Sequence, residues 1–132
     1  AKVIEIITLH LFINTETNNN IAFCNQIKST NQRRISLAID WLDQHLDQAL
    51  DLKALSAKLD CTPSYLSRIF SEYTGKTLRN TLRKMRIEKA AKLLIDGDYN
   101  VTEAALEVGY NSLSHFSKAF LLEKGIKPSQ YK

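Results

Sequence analysis

The sequence predicts an all-α chain in which two units, each a short helix, a tight turn and a longer helix, are joined by a long connecting helix. Three observations carry this. Gly occurs 4 times and Pro twice in 132 residues, too few to turn the many short strands of an all-β fold. Apolar residues recur at helical spacing through most of the chain, between recognisable cap residues. A pattern of Ser, Lys or Arg, any residue, Phe and then Gly five positions on occurs twice: Ser67-Arg68-Ile69-Phe70 with Gly75, and Ser117-Lys118-Ala119-Phe120 with Gly125.

Taken in order, residues 1–13 carry apolar side chains at Val3, Ile4, Ile6, Ile7, Leu9, Leu11 and Phe12, too many for one narrow stripe, and read as a short helix that needs cover on more than one side. Asn14 to Gln32 is rich in Asn, Gln, Ser and Thr and has no periodic apolar face, so it reads as a linker. Ile35, Ile39, Leu42 and Leu46 restore the helical period and place a helix near 33–47, with Trp41 beside its stripe and expected in the core. Asp51 caps a short helix with Leu52, Leu55 and Leu59 inward. Thr62-Pro63 is an N-cap followed by Pro at the first helical position; Leu66, Ile69, Phe70 and Tyr73 then form a buried face that ends at Gly75.

The connecting helix runs from Thr77 to about Asp96, with Leu78, Leu82, Met85, Ala90, Leu93 and Leu94 inward, and closes at Gly97. Asn100 and Glu103 have the spacing of a capping box for a short helix through Val101, Ala104, Ala105 and Val108. The last sizeable helix spans about 112–124, buries Phe116, Ala119 and Phe120, and stops at Gly125; Pro128 opens a terminal turn. The chain is thus expected to comprise an N-terminal helix and linker (1–31), a first unit (32–76), the connecting helix (77–97) and a second unit (98–132).

Composition excludes several classes. With 44% hydrophobic and 24% charged residues the chain forms a core. Cys24 and Cys61 are too few for a disulfide framework and have no metal-ligand spacing, which fits a reducing, cytoplasmic compartment. The apolar stretch 3–13 is broken by Glu5, Thr8 and His10 and is far shorter than the roughly 20 residues of a membrane span. It also lacks the basic start and cleavage site of a signal peptide. No nucleophile elbow, phosphate loop or metal constellation is present, so neither an enzyme, a cofactor nor a metal site is expected. His115 has no second ligand at helical spacing, and Cys24 has nothing in its sequence neighbourhood to lower its pKa.

The repeated unit is a helix-turn-helix, in which the first helix braces and the second can enter a DNA major groove. Upstream of the shared pattern the two copies align as Leu52 with Val101, Leu55 with Ala104 and Leu59 with Val108, so the second copy has one extra residue in its turn. Charge supports this assignment. Residues 40–60 have a net charge of −3, and 61–92 a net charge of +6 through Arg68, Lys76, Arg79, Arg83, Lys84, Arg86, Lys89 and Lys92 against Glu72 and Glu88. Residues 93–109 return to −4, and 110–132 carry +3. The positive blocks coincide with the second helix of each unit and with the connecting helix, where phosphates would be met. A connecting helix of about 20 residues spans roughly 30 Å, close to the roughly 34 Å between successive major-groove faces.

These residues resemble the paired helix-turn-helix domain of AraC/XylS-type bacterial transcription regulators over about Arg34 to Lys132. The most specific stretch is Asn100 to Tyr110 (NVTEAALEVGY), followed by Ser114-His115-Phe116-Ser117-Lys118-Ala119-Phe120, Gly125, Pro128, Ser129 and Tyr131. Leu55, Pro63 to Arg68, Phe70 and Gly75 agree in the first unit, as do Arg86-Ile87-Glu88-Lys89-Ala90 and Leu93-Leu94 in the connecting helix. The resemblance implies a homeodomain-like fold and a transcription activator. It implies double-stranded promoter DNA and RNA polymerase as partners, and a small-molecule effector acting only through a domain absent here or reduced to residues 1–31. Ala104 stands where the family usually has a larger aliphatic residue, and Ser71 and Leu121 stand where Lys or Arg is frequent.

Burying Leu66, Ile69 and Phe70 turns Ser64, Ser67, Arg68 and Ser71 outward. Arg68 is the strongest candidate specifier, because a guanidinium can bind guanine O6 and N7 together. The same logic exposes Leu113, Ser114, Ser117 and Lys118 on the last helix, with Leu113 suited to a thymine methyl. Phosphates are expected at Pro63, Ser71, Lys76, Leu78, Arg79, Arg83, Asn111 and Ser112, through helix-start amides and basic side chains. For Arg83 and Arg86 an intramolecular ion pair or a packed stem is an equal alternative. A module of the same fold that binds another regulator or RNA polymerase instead of DNA is the competing functional reading.

Overall fold

The computed structural model describes residues 10–131, and the chain divides into two units, residues 1–36 and 37–132. A helix, α1, spans His10–Gln44 and crosses that division. The stretch read as a linker is therefore helical. Its physical reason lies in what the stretch lacks: the first Pro is Pro63 and the first Gly is Gly75, so nothing breaks the helix, and Asn or Thr disfavours it by only about 0.7 kcal/mol per residue. Consistent with the absence of an apolar stripe, residues 22–30 are exposed. Thr30 Oγ1 donates to the Gln26 carbonyl at 2.9 Å and Arg34 donates to Asn31 Oδ1 at 3.0 Å, both within the helix. The apolar helix expected over 1–13 lies, as far as residue 9, outside the described residues.

In residues 37–132, three helices start at the predicted caps Asp51, Thr62 and Asn100, and Thr77 and Ser112, read as helix starts, are themselves N-caps. Helix α2 (Leu52–Lys58) starts where Asp51 accepts from the Ala54 amide. Helix α3 (Pro63–Thr74) starts at Thr62 and stops at Gly75, φ +76°. Helix α4 (Leu78–Ile95) starts at Thr77, whose Oγ1 accepts from the Asn80 amide. Helix α5 (Val101–Glu107) carries the complete capping box: the Asn100 side chain accepts from the Glu103 amide and the Glu103 carboxylate from the Asn100 amide. Helix α6 (Leu113–Lys124) runs from Ser112 to Gly125, φ +79°, and a 3₁₀ turn follows over Pro128–Gln130. Among the described residues there is no strand.

The two helix-turn-helix turns share the hydrogen bonds that close them. In the first, Asp60 N donates to Ala57 O and Cys61 N to Ser56 O; in the second, Gly109 N donates to Leu106 O and Tyr110 N to Ala105 O. Asp60 and Gly109 both have positive φ, 56° and 94°. The extra residue of the second copy, Asn111, falls after this shared turn.

Helix α4 packs on α3 and on both α5 and α6. Its buried residues are Leu78, Leu82, Ile87, Ala90, Ala91 and Leu94. The five-residue step from Leu82 to Ile87 turns the buried face by about 140° at 100° per residue, so that the two halves of α4 bury different sides. This is why Met85 and Leu93, expected inward, are only half-buried while Ile87 and Ala91 are buried. Ile87, Ala90, Ala91 and Leu94 share a core with Ala104, Ala105, Val108, Phe116 and Phe120. Ala104 is fully buried there, so the small residue is enclosed. Tyr73, expected in the buried face of α3, is exposed, since Gly75 ends that helix at once. Trp41 is half-buried rather than central: it stacks on His45 at 4.0 Å, lies beneath the Lys58 ammonium, and borders a groove with Leu37, Leu55 and Leu59.

Candidate nucleic-acid interface

On α3, Ser64 and Arg68 are exposed, Ser67 is half-buried, and Ser71 is exposed one turn further on. Arg68 donates to Glu72 at 3.1 Å along the helix, and its guanidinium lies 4.9 Å from the Tyr65 ring centroid. Both partners of the ion pair are more than half exposed, and an exposed pair at i,i+4 contributes only about 0.3–0.5 kcal/mol. A bidentate arginine–guanine contact discriminates by about 1–3 kcal/mol. The pair therefore holds Arg68 outward without competing seriously with a base edge.

On α6, Leu113, Ser114 and Lys118 are exposed and Ser117 is half-buried. The structure brings Leu113, Ser117 and Lys118 into one groove with Leu121, Lys127 and Pro128. Lys127, which the sequence reading does not single out, also lines this groove, and its place in the positive C-terminal block is the one sequence signal for it. The exposed Leu121 gives this groove an apolar flank at the position where a cation is frequent. His115 is exposed, and its amide donates to Ser112 Oγ at 3.3 Å.

The phosphate candidates gather at helix starts, where the first amides have no intrahelical acceptor. Pro63 has no N–H, so at α3 the donor is the following amide, that of Ser64, while the Tyr65 amide is committed to Thr62 Oγ1 at 3.1 Å. At α4 the first amide belongs to Leu78, whose side chain is buried, and Arg79 beside it is exposed. At α6, Asn111 is exposed and Ser112 is the cap. Lys76 sits between α3 and α4 with the Lys84 side chain beside it. That neighbour, by hydrogen bonding first and by charge second, holds the Lys76 ammonium below the ordinary lysine value, a small loss of solvation adding to this and Glu123 opposing it. Two ammonium groups held together are relieved by an anion.

Other cations of the positive block serve the protein itself. Arg83 Nε donates to Glu123 at 2.9 Å, and Lys124 donates to Glu88 at 2.6 Å, so two ion pairs tie α6 to α4. Arg86 donates from Nε to the Leu46 carbonyl and from a terminal amino group to the Gln48 carbonyl, both at 2.6 Å, and lies 5.5 Å from the Tyr110 ring centroid. Arg83 thus makes the intramolecular ion pair posed as one alternative for it, and Arg86 is committed within the protein to main-chain carbonyls. Among the described residues no helix is long and apolar enough to cross a membrane, and no cluster of three or more metal-ligating side chains occurs.

A family described as "Helix-turn-helix domain" matches residues 55–132. The regulatory protein SoxS of Salmonella typhimurium is 32% identical over 103 residues, spanning 78% of this chain and 96% of SoxS. The chain belongs to the AraC-type helix-turn-helix family of transcription regulators. The AraC-type assignment agrees with solved structures: the C-terminal domain of AraT, a response regulator from Geobacillus stearothermophilus, is 34% identical with a TM-score of 0.69, covering 74% of this chain and 82% of that one. The DNA-binding domain of AdpA, solved in complex with a target DNA, is 27% identical with a TM-score of 0.68, covering 74% of this chain and 87% of that one. The transcriptional activator RhaS of Escherichia fergusonii is 31% identical over 97 residues, which are 74% of this chain but 35% of RhaS. As an AraC-type domain, residues 37–132 are the DNA-binding part of a transcription regulator, and the relatives are regulators rather than enzymes.

Proposed function

We propose that this domain reads an asymmetric promoter site by inserting α3 and α6 into consecutive major grooves and that it activates transcription there. The observation that carries the reading is the pair of matching turns, each launching a helix with an exposed polar face, Ser64 and Arg68 on one and Ser114 and Lys118 on the other. The 18 residues of α4 span about 27 Å at 1.5 Å each, a length suited to linking readers set roughly one helical turn of DNA apart.

In this reading Arg68 and Lys118 read guanine edges, with Ser64, Ser67, Ser114 and Ser117 as permissive partners and Leu113 against a thymine methyl. The helix-start amides after Pro63 and at Leu78 and Ser112 take phosphates, with Ser71, Lys76, Arg79 and Asn111 beside them. Arg83 offers phosphate its terminal amino groups, its Nε being bonded to Glu123. Activation is supported by the likeness to RhaS and implies contact with RNA polymerase; a small-molecule signal reaches the domain only through a further domain. A cytoplasmic setting follows from that work.

Selection of random duplexes by the chain, followed by titration of the winning sequence and a scrambled control at two salt concentrations, tests the reading. Two half-elements about one helical turn apart, with affinity falling steeply with salt, are expected. A single half-element overturns the two-reader arrangement, and the absence of salt-sensitive binding favours a protein-interaction module.

A further inference from the structure

Helix α4 packs on both helix-turn-helix units: it contacts α3, with Leu78 and Leu82 in its first half buried, and its second half shares an apolar core with α5 and α6, further tied by Arg83–Glu123 and Lys124–Glu88. Between the first unit and the second, two contacts fall on main-chain atoms. The segment between α1 and α2 passes Leu46, Asp47 and Gln48 before Asp51 caps α2. Arg86, in the middle of α4, binds the carbonyls on either side of Asp47, at 2.6 Å each. From the opposite unit, the turn that precedes α6 presses Gly109 so close that a Cβ there would lie 2.8 Å from Asp47 Cα.

We propose that Arg86 and Gly109 form a clasp on the Leu46–Gln48 backbone that sets the offset between the two recognition helices, and hence the number of base pairs the domain requires between its half-elements. The proposal rests on the two-reader function above. The clasp grips main-chain atoms, so it fixes the path of the segment whatever side chains it carries. A guanidinium is the group that can do this, because its planar fork presents two donors at a fixed spread; an ammonium on a flexible stem reaches one carbonyl or the other. Glycine is required at 109 by the approach of Asp47 rather than by φ alone. Asp60 occupies the matching position of the first turn at φ 56° with a full, exposed side chain, so the left-handed backbone by itself does not demand glycine there. Arg86 is thus a positioning residue for DNA recognition and touches no base.

The test uses the full chain, the duplex it selects, and derivatives of that duplex with one base pair inserted or deleted between the half-elements. Wild type is expected to bind its selected spacing about ten- to a hundredfold more tightly than either derivative, the penalty typical of a displaced base contact. In Arg86→Gln that ratio falls toward one, while base preferences within each half-element stay unchanged; Gly109→Ala, acting from the other side of the clasp, does the same. Ile87→Val, which trims the neighbouring core without touching the clasp, keeps the wild-type ratio. Residual dipolar couplings on the DNA-free protein give an independent readout: the two units share one alignment in wild type and separate in Arg86→Gln. If Arg86→Gln lowers affinity equally at all spacings, or leaves the shared alignment intact, the clasp does not set the offset. If wild type itself ignores spacing while the couplings still separate in the variant, the clasp stands and the two-reader function fails.

Discussion

Replacing Gly109 by alanine separates two reasons for a glycine that are usually confounded. A left-handed backbone disfavours any L side chain by about 1–2 kcal/mol. At Gly109 a second term applies, because the new Cβ meets Asp47 Cα at 2.8 Å and its carbonyl carbon and oxygen at 2.9 Å, where ordinary contact begins at 3.4 Å. The obstacle is backbone, and both its neighbouring carbonyls are held by Arg86, so it cannot retreat without breaking hydrogen bonds. Overpacking against such a wall costs about 1–3 kcal/mol, which brings Gly109→Ala to about 2–5 kcal/mol. Gly75 and Gly125 have φ of 76° and 79° but open space around a Cβ, so their alanine variants pay only the first term. Urea unfolding of the three variants gives the comparison, with unchanged m confirming that the denatured state is the same. In thermal melts each kcal/mol is worth roughly 4–8 °C for a domain of this size. Equal losses at 75, 109 and 125 would refute the close-approach argument.

Arg68→Ala should weaken binding to the selected duplex by about 1–3 kcal/mol and relax base preference at one position, read by repeating the duplex selection; uniform loss on every sequence would make Arg68 a phosphate contact. Lys76→Ala should weaken all sequences alike and reduce the slope of log affinity against log salt by about 1, and an unchanged slope would remove Lys76 from the interface. Lys84→Gln should raise the Lys76 pKa toward the ordinary lysine value, since Lys84 is the largest cause of its depression, as measured by side-chain NMR titration. The Lys124 ammonium is held above the ordinary lysine value, first by its hydrogen bond to Glu88 and with a smaller contribution from that carboxylate's charge. A cation with a raised folded pKa stabilises fully below the unfolded value near 10.4 and loses that contribution as pH rises through the folded pKa. Lys124→Gln should therefore show a shallower loss of stability above about pH 10 than wild type, and parallel alkaline profiles would count against the pair.

What could be read from the sequence was local. Asp51, Thr62 and Asn100 cap the helices their side-chain chemistry announces, because capping is decided within four residues. Phe70 with Gly75 and Phe120 with Gly125 mark α3 and α6 for the same reason. The path of α1 was misread since a polar stretch without Gly or Pro has no positive helix signal and no breaker either. Met85 and Leu93 were misplaced because one stripe was drawn along a helix that changes its buried side midway. The contacts that tie the units together were beyond sequence reading: Arg83 meets Glu123, and Arg86 meets Leu46, each at a separation of 40 residues. No local pattern distinguishes those arginines from Arg79, which faces outward.

That division changes what the positive charge of this chain means. The block 61–92 carries +6, and read as a surface it implies a broad cationic face for DNA. In the folded domain Arg86 is spent on main-chain carbonyls, Arg83 gives one donor to Glu123, and from the C-terminal block Lys124 is committed to Glu88. Among the described residues of the two positive blocks, the exposed cations are Arg68, Lys76, Arg79 and Lys84 on α3 and around the α3–α4 junction, Lys89 and Lys92 further along α4, and Lys118 and Lys127 beside the α6 groove. Net charge sets the long-range attraction to a polyanion; where the charges are left unpaired sets the register in which it is held. Internal pairing ties α6 to the connecting helix through Arg83 and Lys124 and takes Arg86 out of the cationic surface, so the charge left to meet a polyanion is that of the exposed cations on either side of these three residues.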